Sequence, residues 1–138
     1  MNLIGKWKVK EVLRFTVENG MEWKTVEELA AAGAEEQELA PYRDSITIFT
    51  EDGLVETLMS FPAEYTQEQI DGAVAEGMKI RDGMAVIGTT EWKREDGKNL
   101  YNTGHEGEIF GEEVSPWIEI KEIGDMIELE ALRYVRAE

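Results

Sequence analysis

Glu11 near one end of the chain and Tyr134 near the other are the residue types that could do acid–base work, because a carboxylate beside a phenol can orient a polar ligand group or pass a proton. Tyr101 and Arg133 add a second phenol and a cation of the same usefulness. Glu11 interrupts the apolar face of its run, so it needs a charged partner, a hydration site, or a bulge that turns it outward. The single histidine, His105, lies in Gly104-His105-Glu106-Gly107-Glu108. Zinc takes three or four well-spaced ligands, so a glycine-flanked loop is the simpler reading and no metal site is expected. Asp52, Asp82 and Asp96 each precede a glycine and suit tight turns better than calcium. There is no cysteine, which removes thiolate nucleophiles and thiolate metal sites. No residue is assigned a catalytic role, and no cofactor is implied.

Trp92, Tyr101, Met59, Phe61 and Ile118 are candidate liners of an interior cavity. Periodicity does not separate a liner from a filled core. Trp92 shares an alternating face with Val86 and is expected to point inward.

The elements that must position these groups are mostly strands. Residues 5 to 17 alternate, with Trp7, Val9, Leu13, Phe15 and Val17 on one face and Lys6, Lys8, Lys10 and Arg14 on the other. Thr25 followed by Glu28 makes a capping box that opens one or two short helices up to Ala40, with Gly33 as a break and Pro41 as a stop. Thr66 followed by Gln69 opens another helix over about 66–78. Asp52-Gly53, Asp96-Gly97 and Gly124-Asp125 read as tight turns between strands. Tight turns make antiparallel neighbours, so the fold expected is all-β with short helices, an up-and-down antiparallel barrel of about eight strands over 1–138. Such a barrel is either filled by side chains or holds one small ligand.

On the last run, Ile127, Leu129 and Ala131 share one parity and Leu132, Tyr134 and Arg136 the other. Both sets face inward only if a bulge shifts the strand near Ala131 and Leu132.

Thirty acidic residues against fourteen basic ones leave a net charge of −16. That surface repels phosphate backbones, so nucleic acid is not an expected partner; solubility explains the excess most simply. No window reaches the roughly 18 apolar residues of a membrane span. The absence of cysteine and of a signal-like start points to a cytoplasmic protein.

Gly5-Lys6-Trp7-Lys8-Val9 at the head and Tyr134-Val135-Arg136-Ala137 at the tail resemble the calycin superfamily of lipocalins and intracellular fatty-acid-binding proteins. The resemblance implies that Gly5 and Trp7 on the first strand meet Arg136 on the last and close the barrel. It also implies a small, usually apolar ligand inside. The helical pair after the first strand is nearer the fatty-acid-binding branch. In that branch an arginine and a tyrosine hold a carboxylate, but Leu132 stands where the arginine belongs. The helix near 66–78 fits neither branch.

Three functions follow. The first is a non-enzymatic intracellular binding protein for a small hydrophobic or amphipathic molecule, with Glu11, Met59, Phe61, Trp92, Tyr101, Ile118, Arg133 and Tyr134 as candidate contacts. The second is a lipocalin-fold enzyme using Glu and Tyr, which requires a carboxylate and a tyrosine to converge in one cavity. The third is an interaction module on a dry barrel, with an exposed stripe through Ile70, Val74 and Met78 for a protein partner.

Overall fold

A computed structural model of the chain describes residues 2–104, 107–109 and 112–137, with 107–109 and 112–114 described as backbone only. Strands β1 (Gly5–Thr16) and β2 (Gly20–Thr25) form a hairpin, followed by helices α1 (Val26–Ala31) and α2 (Glu36–Arg43). Next come β3 (Ser45–Phe49), β4 (Leu54–Met59), α3 (Gln67–Ala75), β5 (Lys79–Arg81), β6 (Met84–Glu95) and β7 (Lys98–Asn102). The remainder is β8 (Gly107–Ile109), β9 (Glu112–Val114), β10 (Trp117–Glu119), β11 (Lys121–Ile123), β12 (Met126–Leu129) and β13 (Leu132–Arg136).

The main sheet runs in the order β10-β7-β6-β4-β3-β1-β13-β12-β11, with β2 beside β1 and β5 beside β6, while β8 and β9 pair separately. Every pairing is antiparallel. The two ends of that path, β10 and β11, are separated in the chain by Ile120 alone. Ile120 is buried, and its N–H donates to the Asn99 carbonyl at 2.9 Å. One bent run therefore touches both ends of the sheet and leaves a nearly closed barrel. The expected eight strands are too few, since nine lie on the path and eleven in the sheet. The excess comes from β2 and β5, which are side hairpins, and from the bend at Ile120 that splits one run in two.

Two register features overturn the simple alternation. On β1 the ladder with β13 pairs Trp7 with Arg136 and Val9 with Tyr134, then shifts so that Glu11 meets Arg133 and Val12 meets Leu132. Lys10 is the extra residue, and directly opposed residues share a face, so Val12 joins Trp7 on the inner face while Glu11 turns out. Leu13 and Phe15 turn out with Glu11, contrary to the expected single apolar face. At the tail, the inferred bulge near Ala131 and Leu132 is instead a turn between β12 and β13, with Glu130 at φ 56°. Leu129 then faces Leu132 and Ile127 faces Tyr134, which reconciles both parities by folding the run back on itself. A similar shift at Ile87 of β6 separates Val86 from Trp92.

Both capping boxes are present, with Thr25 accepting from the Glu28 N–H and Thr66 from the Gln69 N–H. The helical pair follows the second strand rather than the first, because β2 returns along β1 before α1 begins. Gly33 breaks the pair at φ 98° as expected, but Pro41 lies inside α2. The one helical bond that Pro41 forfeits belongs to the solvent-exposed Gln37 carbonyl.

The core fills one end of the barrel. Leu3, Trp7, Phe49, Val55, Ile120, Ile127 and Leu129 are buried together, with Trp7 fully inaccessible. The Trp7 indole N–H donates to the Leu3 carbonyl at 2.9 Å, which satisfies its one polar atom.

Candidate ligand-binding site

Above the filled end, the inner faces of β1, β7, β12 and β13 surround an open pocket of about 340 Å³. Val12, Leu129 and Leu132 form its apolar wall, Tyr101 and Tyr134 its phenolic wall, and Arg14, Tyr42 and Glu130 its rim. Each arrives by a local cause. The bulge at Lys10 sets Val12 and Arg14 inward, and the Glu130-Ala131 turn carries Leu132 and Tyr134 back over Leu129 and Ile127. Helix α2 supplies Tyr42, whose ring lies 5.9 Å from the Arg14 guanidinium.

Tyr134 is the most deeply held polar group of the pocket. Burial pushes its phenol up to about 12, the neighbouring Tyr101 adds to the rise, and a hydrogen bond with the Thr47 side chain pulls the other way. Burial also raises Tyr101, helped by the charge of Glu130. Both phenols stay protonated at neutral pH and can donate and accept hydrogen bonds.

Of the residues singled out in the sequence, Trp92, Tyr101, Ile118 and Tyr134 pack together against the core cluster. Trp92 meets Phe49 edge-on at 5.7 Å between ring centres and donates its indole N–H to the Thr50 carbonyl at 2.9 Å. Ile118 stands opposite Tyr101 on β10. Met59 is half-buried between Ser45 and Ala85 on neighbouring strands, outside the pocket lining. Phe61 lies beyond β4, with its ring 6.1 Å from Tyr65. Glu11 and Arg133 are brought together, but on the opposite face from Tyr134, at 3.7 Å from each other. Arg133 also bonds Glu128 at 3.1 Å and stacks 4.0 Å over Trp23. The Glu11–Tyr134 pair is not assembled; the carboxylate that shares the pocket with Tyr101 and Tyr134 is Glu130.

The closure residues meet as the head and tail motifs imply. The Arg136 guanidinium lies 4.1 Å over the Trp7 ring. Gly5, at φ 132° in the left-handed half of backbone space, opens β1 opposite Phe49.

Arg14, Tyr42 and Thr47 were not legible as site residues, because their roles depend on the bulge and on which strand lies beside β1. Among the described residues no group of three His, Cys, Asp or Glu side chains is placed to hold a metal ion, and His105 lies outside the described residues. Asp82-Gly83 and Asp96-Gly97 both have positive φ, as two-residue hairpin turns require. No α3 side chain is buried or lines the pocket; Val74 and Met78 are exposed and Ile70 is half-buried. Among the described residues no helix is long and apolar enough to cross a membrane.

Fold and site together define an antiparallel, nearly closed β-barrel with a filled base and a tyrosine-lined mouth. No family model, no curated protein and no solved structure matches the chain.

Proposed function

We propose that this chain is a calycin-like binding protein that holds one small amphipathic molecule in the mouth of its barrel. One observation carries the reading: two phenols, Tyr101 and Tyr134, share a pocket of about 340 Å³ with the Arg14 guanidinium at its rim. Binding pockets for small molecules are mostly apolar hollows of about 300 to 1,000 Å³ with a few placed polar groups. The Leu129 and Leu132 wall would take the apolar part of such a ligand, and the phenols and Arg14 its polar end.

The Trp7–Arg136 stack between first and last barrel strands supports the calycin resemblance, whereas the helical pair, coming after β2 rather than β1, does not add to it. Cysteine-free composition supports an intracellular location. The enzyme alternative built on Glu11 loses support, because Glu11 and Tyr134 lie on opposite faces; an acid–base reading would rest instead on Glu130, the carboxylate that shares the pocket with both phenols. The net charge of −16 argues against nucleic acid as a partner.

The test is native mass spectrometry of the gently purified protein, followed by titration with an environment-sensitive fluorescent amphiphile. The expected result is a defined small-molecule adduct, or one saturable probe site that is weakened in Arg14→Gln and Tyr101→Phe. Probe binding that is absent, or unaffected by both substitutions, would count against the reading.

A further inference from the structure

Strand β2 pairs only with β1, so its outer edge has no strand partner among the described residues. The β1–β2 arm also exposes apolar side chains, with Phe15 69%, Val17 95% and Met21 60% accessible. Phe15 stands opposite Met21 and Leu13 opposite Trp23, so these four share one face. An unpaired edge is a template for adding another strand. We propose that β2 pairs antiparallel with β2 of a second copy of this chain, in an isologous dimer centred on Trp23.

The charges of the strand select both the occupant and the register. Glu22 and Lys24 flank Trp23 and form an ion pair at 3.3 Å within the strand. In a two-fold strand pair one residue faces its own symmetry mate. Centring on Glu22 opposes two carboxylates, and centring on Lys24 opposes two ammonium groups; both are unfavourable. Centring on Met21 leaves Glu22 against Gly20, and centring on Thr25 leaves Lys24 against Val26. Centring on Trp23 sets Glu22 against Lys24 of the second copy, and symmetry repeats that contact. Each copy carries a charge of −16, so long-range repulsion opposes association and the two local opposite-charge pairs are what the edge offers against it. Arg133, stacked on Trp23 at 4.0 Å, holds the central indole in place.

Sedimentation equilibrium from micromolar to millimolar concentration tests the dimer. The expected mass approaches twice 15.7 kDa. Lys24→Glu sets like charges opposite each other twice and weakens association about tenfold or more. The double charge swap Glu22→Lys with Lys24→Glu restores it, provided circular dichroism shows both variants folded. A wild-type monomer at every concentration overturns the proposal, as does dimerisation of folded Lys24→Glu as tight as wild type, or a folded swap that stays monomeric. A second measurement avoids the strand itself: the chain has no native cysteine, so a nitroxide on Val17→Cys labels the exposed hairpin tip alone. In the Trp23-centred register Val17 lies level with position 19, four residues from the centre, so the two label sites stand about 30 Å apart, from the rise per residue and the spacing of strands. Absence of an inter-spin distance, or one far shorter, overturns the register.

Discussion

Arg136 lies over the Trp7 ring at 4.1 Å and joins the last barrel strand to the segment before the first, donating to the Ile4 carbonyl at 2.9 Å and to the Asn2 carbonyl. One planar guanidinium thus covers the buried indole and satisfies backbone oxygens at the start of the chain. Arg136→Ala is expected to cost about 1 to 3 kcal/mol in urea unfolding, from lost charged hydrogen bonds and the cation–π contact. Arg136→Lys should recover only part of this, because a single ammonium cannot cover the ring and serve the carbonyls together.

Tyr134 makes stability depend on alkaline pH. Its folded pKa near 12 lies above the ordinary tyrosine value of 10.0, so above pH 10 the unfolded chain releases a proton that the folded chain keeps. Stability is therefore full below pH 10 and falls as pH rises from about 10 to about 12, by about 2 to 3 kcal/mol in total. Tyr134→Phe should flatten that part of the profile in chemical unfolding measured across the range. An equally steep loss in the variant would show that another group is responsible.

Glu11 and Arg133 form a largely buried pair on the outer face, with side chains only 18% and 21% accessible. Glu11→Gln is expected to cost about 1 to 2 kcal/mol, limited because Arg133 keeps Glu128 as a partner, and to leave amphiphile binding unchanged. Arg133→Ala should cost more, since Glu128 and Trp23 lose the same partner. Loss of probe binding in Glu11→Gln would contradict the outward placement.

The two capping boxes should behave differently when broken. Thr25→Ala is expected to lower global stability by about 1 kcal/mol, because α1 carries the buried Val26 into the fold. Thr66→Ala should act locally, since α3 buries none of its side chains. Hydrogen exchange should then quicken within α3 while the global unfolding midpoint stays in place.

Local signals in the sequence carried far. Capping boxes mark helix starts by side-chain reach of three residues, and Asp-Gly marks turns by its tolerance of positive φ, so both are legible without knowledge of the rest of the chain. The antiparallel barrel follows from those turns, and the Trp7–Arg136 contact from motifs at the chain ends. Trp92, Tyr101, Ile118 and Tyr134 do pack against the core, but alternation did not place them: the shift at Ile87 puts Val86 and Trp92 on different faces, and Tyr134 is inward only because the chain turns at Glu130.

What the tertiary structure decided is which face each residue joins once alternation slips, and which strands become neighbours. A single extra residue, Lys10, reverses every later side chain of β1, sending Glu11, Leu13 and Phe15 outward and bringing Arg14 to the pocket. The Glu130-Ala131 turn achieves by folding back what unbroken alternation could not. Each event leaves a mark, Glu11 on an apolar face and a parity conflict near Ala131, but the mark does not say whether a partner charge, a bulge or a turn answers it, because that is chosen by what the partner strand can pair with and what the core can bury. The same is true of Tyr42 and Thr47, which reach the site only because helix α2 and strand β3 pack beside β1. Residue types and their spacing determined the elements, and non-local pairing determined which of them meet around the pocket.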